Sequence, residues 1–138
     1  MLIAGIRIRG KYDECGRLFS KLGRKAGRHI AGPAFNLYYD EEYKEEDADF
    51  ESCFPIKKSI EAKGIDVREL PGGRCLSCLH YGPYETISES YEVIFDHSKS
   101  IAMNIHYPIR EIYIKGPGVI FRGNPKKYIT EIQFMFVD

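Results

Sequence analysis

Arg9-Gly10-Lys11-Tyr12, then an amphipathic run, then Gly32-Pro33-Ala34-Phe35-Asn36-Leu37-Tyr38: this stretch decides the fold, because the chain states it twice. The second version reads Tyr81-Gly82-Pro83-Tyr84, another amphipathic run, then Tyr107-Pro108-Ile109-Arg110-Glu111-Ile112-Tyr113. A duplication makes each copy one packing unit. It also displays where the copies part. Asn36 in the first stands where the second has Glu111, a charge replacing an amide in a matched frame.

Working outward, the first copy opens with Ile3, Ile6 and Ile8 alternating against Arg7 and Arg9, a half-buried strand. A helix follows Gly10, with Asp13 as its N-cap. Its apolar stripe is Cys15, Leu18, Phe19, Leu22 and Ala26, and Gly32-Pro33 ends it. Strands are predicted from Ala34 to Tyr39 and from Phe50 to Ile56. The second copy begins near Val67 and continues with a strand Arg74 to Tyr81. Thr86-Ile87-Ser88-Glu89 fits a capping box, and Ile87, Tyr91, Ile94, Phe95 and Ala102 form the second stripe. Strands Ile109 to Ile114 and Ile129 to Val137 complete it. The organisation is one domain, 1–138, with repeat one at 1–57, a polar linker at 58–65 and repeat two at 66–138. The expected fold class is α+β: tandem strand-helix-strand-strand repeats forming antiparallel sheet, two helices, and a cleft between pseudo-symmetric halves.

Composition narrows the function classes. The chain has 138 residues, 43% hydrophobic, with zero formal net charge, which argues against a dedicated nucleic-acid or membrane-surface binder. No signal peptide or membrane-length apolar run is present, so the expected location is the cytoplasm. Cys75 and Cys78 lie at odd spacing on a strand, which sends them to opposite faces. No second Cys/His pair completes a zinc site, so neither metal nor cofactor is expected. Asp40 to Asp49 holds seven acids in ten residues without the glycine or ligand spacing of a calcium loop, and reads as a solvated acidic hairpin. The basic face of the first helix lacks aromatic interleaving and reads as solvated. Ten tyrosines, eight phenylalanines and no tryptophan suggest a lined, partly wet pocket, since each Tyr hydroxyl needs a partner.

The turn before each helix, Leu79-His80-Tyr81-Gly82-Pro83-Tyr84, the Glu111-Ile112-Tyr113 strand and the duplication together resemble the GyrI-like domain. This is also the effector-binding domain of multidrug-responsive regulators of the MerR and AraC types. The resemblance runs from Leu2 to Val137. It implies a groove between the modules that accepts bulky, flat, often cationic compounds, with a glutamate at its base matching Glu111. Both copies use up the chain, leaving no room for a helix-turn-helix, so a stand-alone ligand-binding member is expected. The leading strand is shorter than the family's usual one. Certain members hydrolyse electrophilic cyclopropane-containing toxins with a glutamate and other pocket side chains, among them a Trp; this chain has no Trp.

Strand alternation places Glu111 and Tyr113 on one face and Ile112 and Ile114 on the other. The isoleucines suit the helix-covered core, so Glu111 is expected on the opposite surface, with Asn36 and Tyr38 likewise facing away from Leu37. Tyr12 and Tyr84, at the helix entrances, are candidate groove residues; Tyr91 reads as core. The ligand-binding set is Glu111, Tyr113, Tyr38, Asn36, Tyr12 and Tyr84, for a small aromatic or cationic molecule held by carboxylate and ring faces. In the enzymatic alternative, Glu111 activates water and Tyr113 positions the leaving oxygen. A third alternative is a gyrase-inhibitor-like interaction module that docks a protein partner through loop 115–128, with Val119-Ile120-Phe121 at its centre.

Overall fold

A computed structural model of the chain describes residues 1–117 and 123–137, so the Val119-Ile120-Phe121 segment lies outside the described residues. Two compact units divide the chain, Met1–Gly72 and Gly73–Asp138. The architecture is α+β, a strand-helix-strand-strand order occurring twice.

The first unit contains β1 (Leu2–Gly10), α1 (Cys15–Ala26), β2 (Phe35–Tyr38), β3 (Ala48–Pro55) and β4 (Asp66–Glu69). All its pairings are antiparallel, in the order β4-β1-β3-β2. The sequence placed β4 in the second repeat. Instead it lines up against β1, Leu2 opposite Glu69 and Gly5 opposite Asp66. The α1 stripe holds as read: Leu18, Leu22 and Ala26 pack on Ala4, Ile6, Ala48 and Phe50 of the sheet, with Cys15 and Phe19 half-buried beside them. Each fully buried leucine contributes about 2 kcal/mol through apolar area removed from water.

The helix ends differ from the sequence reading. Asp13 sits inside a 3-10 turn, Tyr12–Glu14, and caps nothing; the Glu14 carboxylate accepts the Lys11 N–H at 2.8 Å. At the other end α1 stops at Gly27 rather than at Gly32-Pro33. Gly27 takes φ +50°, a region only glycine enters cheaply, and its N–H closes the last turn on the Gly23 carbonyl. The acidic stretch is exposed over most of its length. Asp49, however, receives two hydrogen bonds from Arg7 at 2.8 Å, which hold its carboxyl below the usual range.

The second unit contains β5 (Cys75–Tyr81), α2 (Ile87–Ser100), β6 (Ile105–Lys115) and β7 (Ile129–Phe136), antiparallel in the order β6-β7-β5. Ile94, Ile132 and Phe134 are fully enclosed, and Phe95 meets Phe134 at 4.7 Å between ring centroids. Thr86 occupies the N-cap position of α2, yet its hydroxyl donates to the Pro83 carbonyl at 3.0 Å and makes no capping bond. Ala102 lies past the helix, exposed, at φ +52°; Ser98 takes its expected place in the buried stripe. No helix among the described residues is long and apolar enough to cross a membrane.

Candidate functional site

Period-2 alternation along β6 puts Ile109, Glu111 and Tyr113 on one side, and register extends the row across the unit. Glu111 lies opposite Ile132, itself opposite Cys78; Tyr113 lies opposite Thr130, itself opposite His80. The sequence reading assigned this side to the surface away from the helix. The structure reverses it. Tyr91, projecting from α2, donates its hydroxyl to Glu111 Oε2, and the Tyr113 hydroxyl donates to Oε1 at 2.9 Å. Ile114, expected in the core, is half-exposed on the other face.

A carboxylate taken out of water is costly unless its oxygens are satisfied, which explains why two phenols converge on Glu111. Burial still dominates and pushes the Glu111 pKa above the usual carboxylate range; the Tyr91 and Tyr113 hydrogen bonds and the nearby His80 pull the other way. Tyr91, read from the sequence as core, is therefore the closest partner of the candidate anchor. A tyrosine in an apolar helical stripe, with a hydroxyl needing a partner, was the available signal.

His80 is buried and braced on both ring nitrogens. Nε2 lies 2.9 Å from the Pro83 carbonyl, which can only accept, so Nε2 carries a proton; Nδ1 lies 2.8 Å from the Ser90 hydroxyl. His80 thereby ties the Gly82-Pro83 turn to α2 and sets the entry of Tyr84. The Tyr84 ring stands edge-on to Tyr113, centroids 5.7 Å apart at 79°, with Tyr128 at 5.3 Å on another side. The sequence named Tyr84 and Tyr113 as candidate ligand residues and showed His80 only as part of the turn motif.

The first unit builds a counterpart. Asn36 is buried on the α1 side of its sheet, with Leu37 on the other, again the reverse of the expected facing. Its Oδ1 accepts from the Ser52 hydroxyl at 2.7 Å and its Nδ2 donates to the Tyr38 hydroxyl at 3.0 Å. Tyr12 stands edge-on to Tyr38, centroids 5.5 Å apart at 77°. The structure thus brings together Asn36, Tyr38 and Tyr12 in one unit, and Glu111, Tyr113 and Tyr84 in the other.

A second buried carboxylate escaped the sequence reading. Glu51 of β3 is 2% exposed, on the sheet face away from α1. Arg68 of β4 grips it with a fork, Nη1 to Oε2 and Nη2 to Oε1, both 2.7 Å, and the Tyr39 hydroxyl donates to Oε1 at 2.7 Å. Glu51 hydrogen bonding raises the Arg68 pKa further, and burial with the Glu51 bond raises that of Tyr39. Nothing local to Phe50-Glu51-Ser52 announced a partner on β4, in what was read as the other repeat. Among the described residues, no three His, Cys, Asp or Glu side chains gather as metal ligands, and the four cysteines are free thiols.

The chain is similar in fold to the C-terminal domain of EcmrR: TM-score 0.84 at 22% identity, covering 99% of this chain and 91% of that one. It is also similar to EcmrR in a cryo-EM complex with DNA, at TM-score 0.82 and 22% identity; the match covers 96% of this chain and about half, 52%, of that one. A hydrolase from Listeria innocua shares the fold more distantly, at TM-score 0.69 and 12% identity, over 99% of this chain and 87% of that one. A search of curated proteins returns no match. The family profile of the GyrI-like small molecule binding domain matches residues 1–136, and the chain belongs to that family.

Proposed function

We propose that this small-molecule binding domain takes up amphipathic, aromatic cations with Glu111 as the anchoring charge. One observation carries the reading: a buried carboxylate held by phenol hydroxyls, with burial raising its pKa. Such a group ionises more readily when a cation arrives, so the domain gains binding energy from any ligand that supplies positive charge beside Glu111. The ring faces of Tyr113 and Tyr84 would add cation–π attraction of about 0.5–2 kcal/mol each where they meet the ligand. Asn36, Tyr38 and Tyr12 form the first unit's uncharged counterpart of this arrangement. Aromatic faces select flatness and charge rather than one outline, which favours broad tolerance. The hydrolytic alternative uses the same carboxylate as a base toward an electrophilic ring; turnover of such a compound, lost in Glu111→Gln, would replace the binding reading.

The test is a thermal-shift titration with planar lipophilic cations and their neutral isosteres, on the wild type and Glu111→Gln. At a hundredfold its dissociation constant, a cation adds about 2.7 kcal/mol of stability. The expected result is stabilisation by cations and not by isosteres, lost in the variant. Equal stabilisation by both, or an unchanged response in the variant, overturns the anchoring role.

A further inference from the structure

We propose that the first unit carries a second cation site, at Glu51, which accepts a guanidinium or amidinium group in exchange for the chain's own Arg68.

Four observations converge on it. The Glu51 carboxylate presents both oxygens along one edge to a planar fork of N–H donors, with the Tyr39 hydroxyl already turned onto Oε1. That is the geometry a planar, bidentate cation recognises. Space for the carboxylate comes from Gly5: a Cβ there would sit 2.2 Å from Glu51 Oε2. Beside the fork a pocket of about 330 Å³ opens, lined by Arg7, Tyr39, Glu51, Asp66 and Arg68, with room for the body of a small ligand.

The occupant is also built to leave. Arg68 is one-third exposed and rides on a four-residue strand. The same Nη1 that touches Glu51 lies 2.7 Å from Asp66 Oδ2, and Asp66 is largely exposed. An Arg68 that swings toward solvent therefore keeps a counter-ion, so exchange does not strand its charge. Glu51 has no such second choice. It is buried and needs a cation whichever way Arg68 points.

Charge selects the sign of the ligand. The pocket's own charges balance, Arg7 and Arg68 against Glu51 and Asp66, so a ligand that displaces Arg68 from Glu51 must itself bring a positive charge to the buried carboxylate. The Arg7 guanidinium already covers the Tyr39 ring at 3.6 Å. Recognition at this site therefore rests on the Glu51 fork, unlike at Glu111, whose side-chain hydrogen-bond donors among the described residues are tyrosines. A primary amine fits the fork poorly, having one nitrogen where two are wanted.

The probe is benzamidinium, with neutral benzamide as control, measured by calorimetry and thermal shift in a Glu111→Gln background so that cation uptake at Glu111 cannot contribute. Saturable benzamidinium binding is expected, at least tenfold tighter in Arg68→Ala, lost in Glu51→Gln and absent for benzamide. Absence of binding in the Glu111→Gln protein, or binding that survives Glu51→Gln, overturns the proposal and leaves the Arg68–Glu51 pair as a fixed strut. Should Arg68→Ala not fold, Arg68→Lys replaces it, since it keeps the charge and removes the fork. Tighter benzamidinium binding than with Arg68 in place is then expected, and unchanged affinity counts against exchange.

Discussion

The two units solve one problem, a polar side chain enclosed beside a tyrosine pair, with different electrical outcomes. Tyr12 meets Tyr38 at 5.5 Å and 77°, and Tyr84 meets Tyr113 at 5.7 Å and 79°, so the aromatic frame is the same twice. Inside it, Asn36 is satisfied by neutral neighbours, Ser52 and Tyr38. Glu111 keeps a carboxyl that phenols soften without neutralising. The first unit holds its buried charge elsewhere, on the opposite sheet face, and gives Glu51 a full counter-ion in Arg68. A buried carboxylate with a tethered cation takes another only by exchange, whereas one held by hydroxyls can take positive charge by addition. That contrast, more than the duplicated frame, is why the proposed anchoring role falls to Glu111, where a ligand's charge would displace none of the chain's own.

The contrast can be broken most severely at Arg68. Arg68→Ala strands Glu51 in the interior and is expected to cost about 3 kcal/mol in chemical denaturation at neutral pH. A loss no larger than that of an exposed ion pair, below about 1 kcal/mol, would show that Glu51 finds water instead. Tyr91→Phe comes next. It removes one of the two hydroxyls on Glu111 and is expected to cost about 1.5 kcal/mol, while raising the Glu111 pKa further as read by carboxyl NMR titration.

The smallest effect is a slope. The folded Glu111 pKa lies above the unfolded value of about 4.3, so the folded chain keeps this proton longer than the unfolded chain does. Stability should therefore fall as pH rises from the unfolded value through the folded one. In Glu111→Gln that fall is expected to vanish, the variant gaining on the wild type as pH rises. Parallel stability curves across that range would place Glu111 in contact with solvent.

Much of this was legible in the residues. The Gly10-Lys11-Tyr12 and Gly82-Pro83-Tyr84 turns, each leading into a helix, fixed the element order because turn chemistry and helical period are local signals. The Asn36/Glu111 difference pointed to a position that is buried and polar in both units. The facing did not follow, because alternation defines two sets of side chains without saying which set is covered. Hydrophobicity favoured Ile112 and Ile114 for the interior, and the opposite choice depends on the Tyr113 hydroxyl together with that of Tyr91, twenty residues from Glu111. Arg68 was hidden for a related reason. Its pairing with β1 and Glu51 depends on a strand returning across the sheet, which no short-range pattern encodes.

Cys53 has a kinetic consequence. It lies fully buried on the Glu51 face, and burial pushes its thiol well above the ordinary range, with the Glu51 charge adding to that. Neither thiolate nor access is available in the closed fold, so a thiol reagent can reach Cys53 only when the first unit opens around it. Its modification rate is thus an internal clock for the breathing of the first unit, readable without any added label.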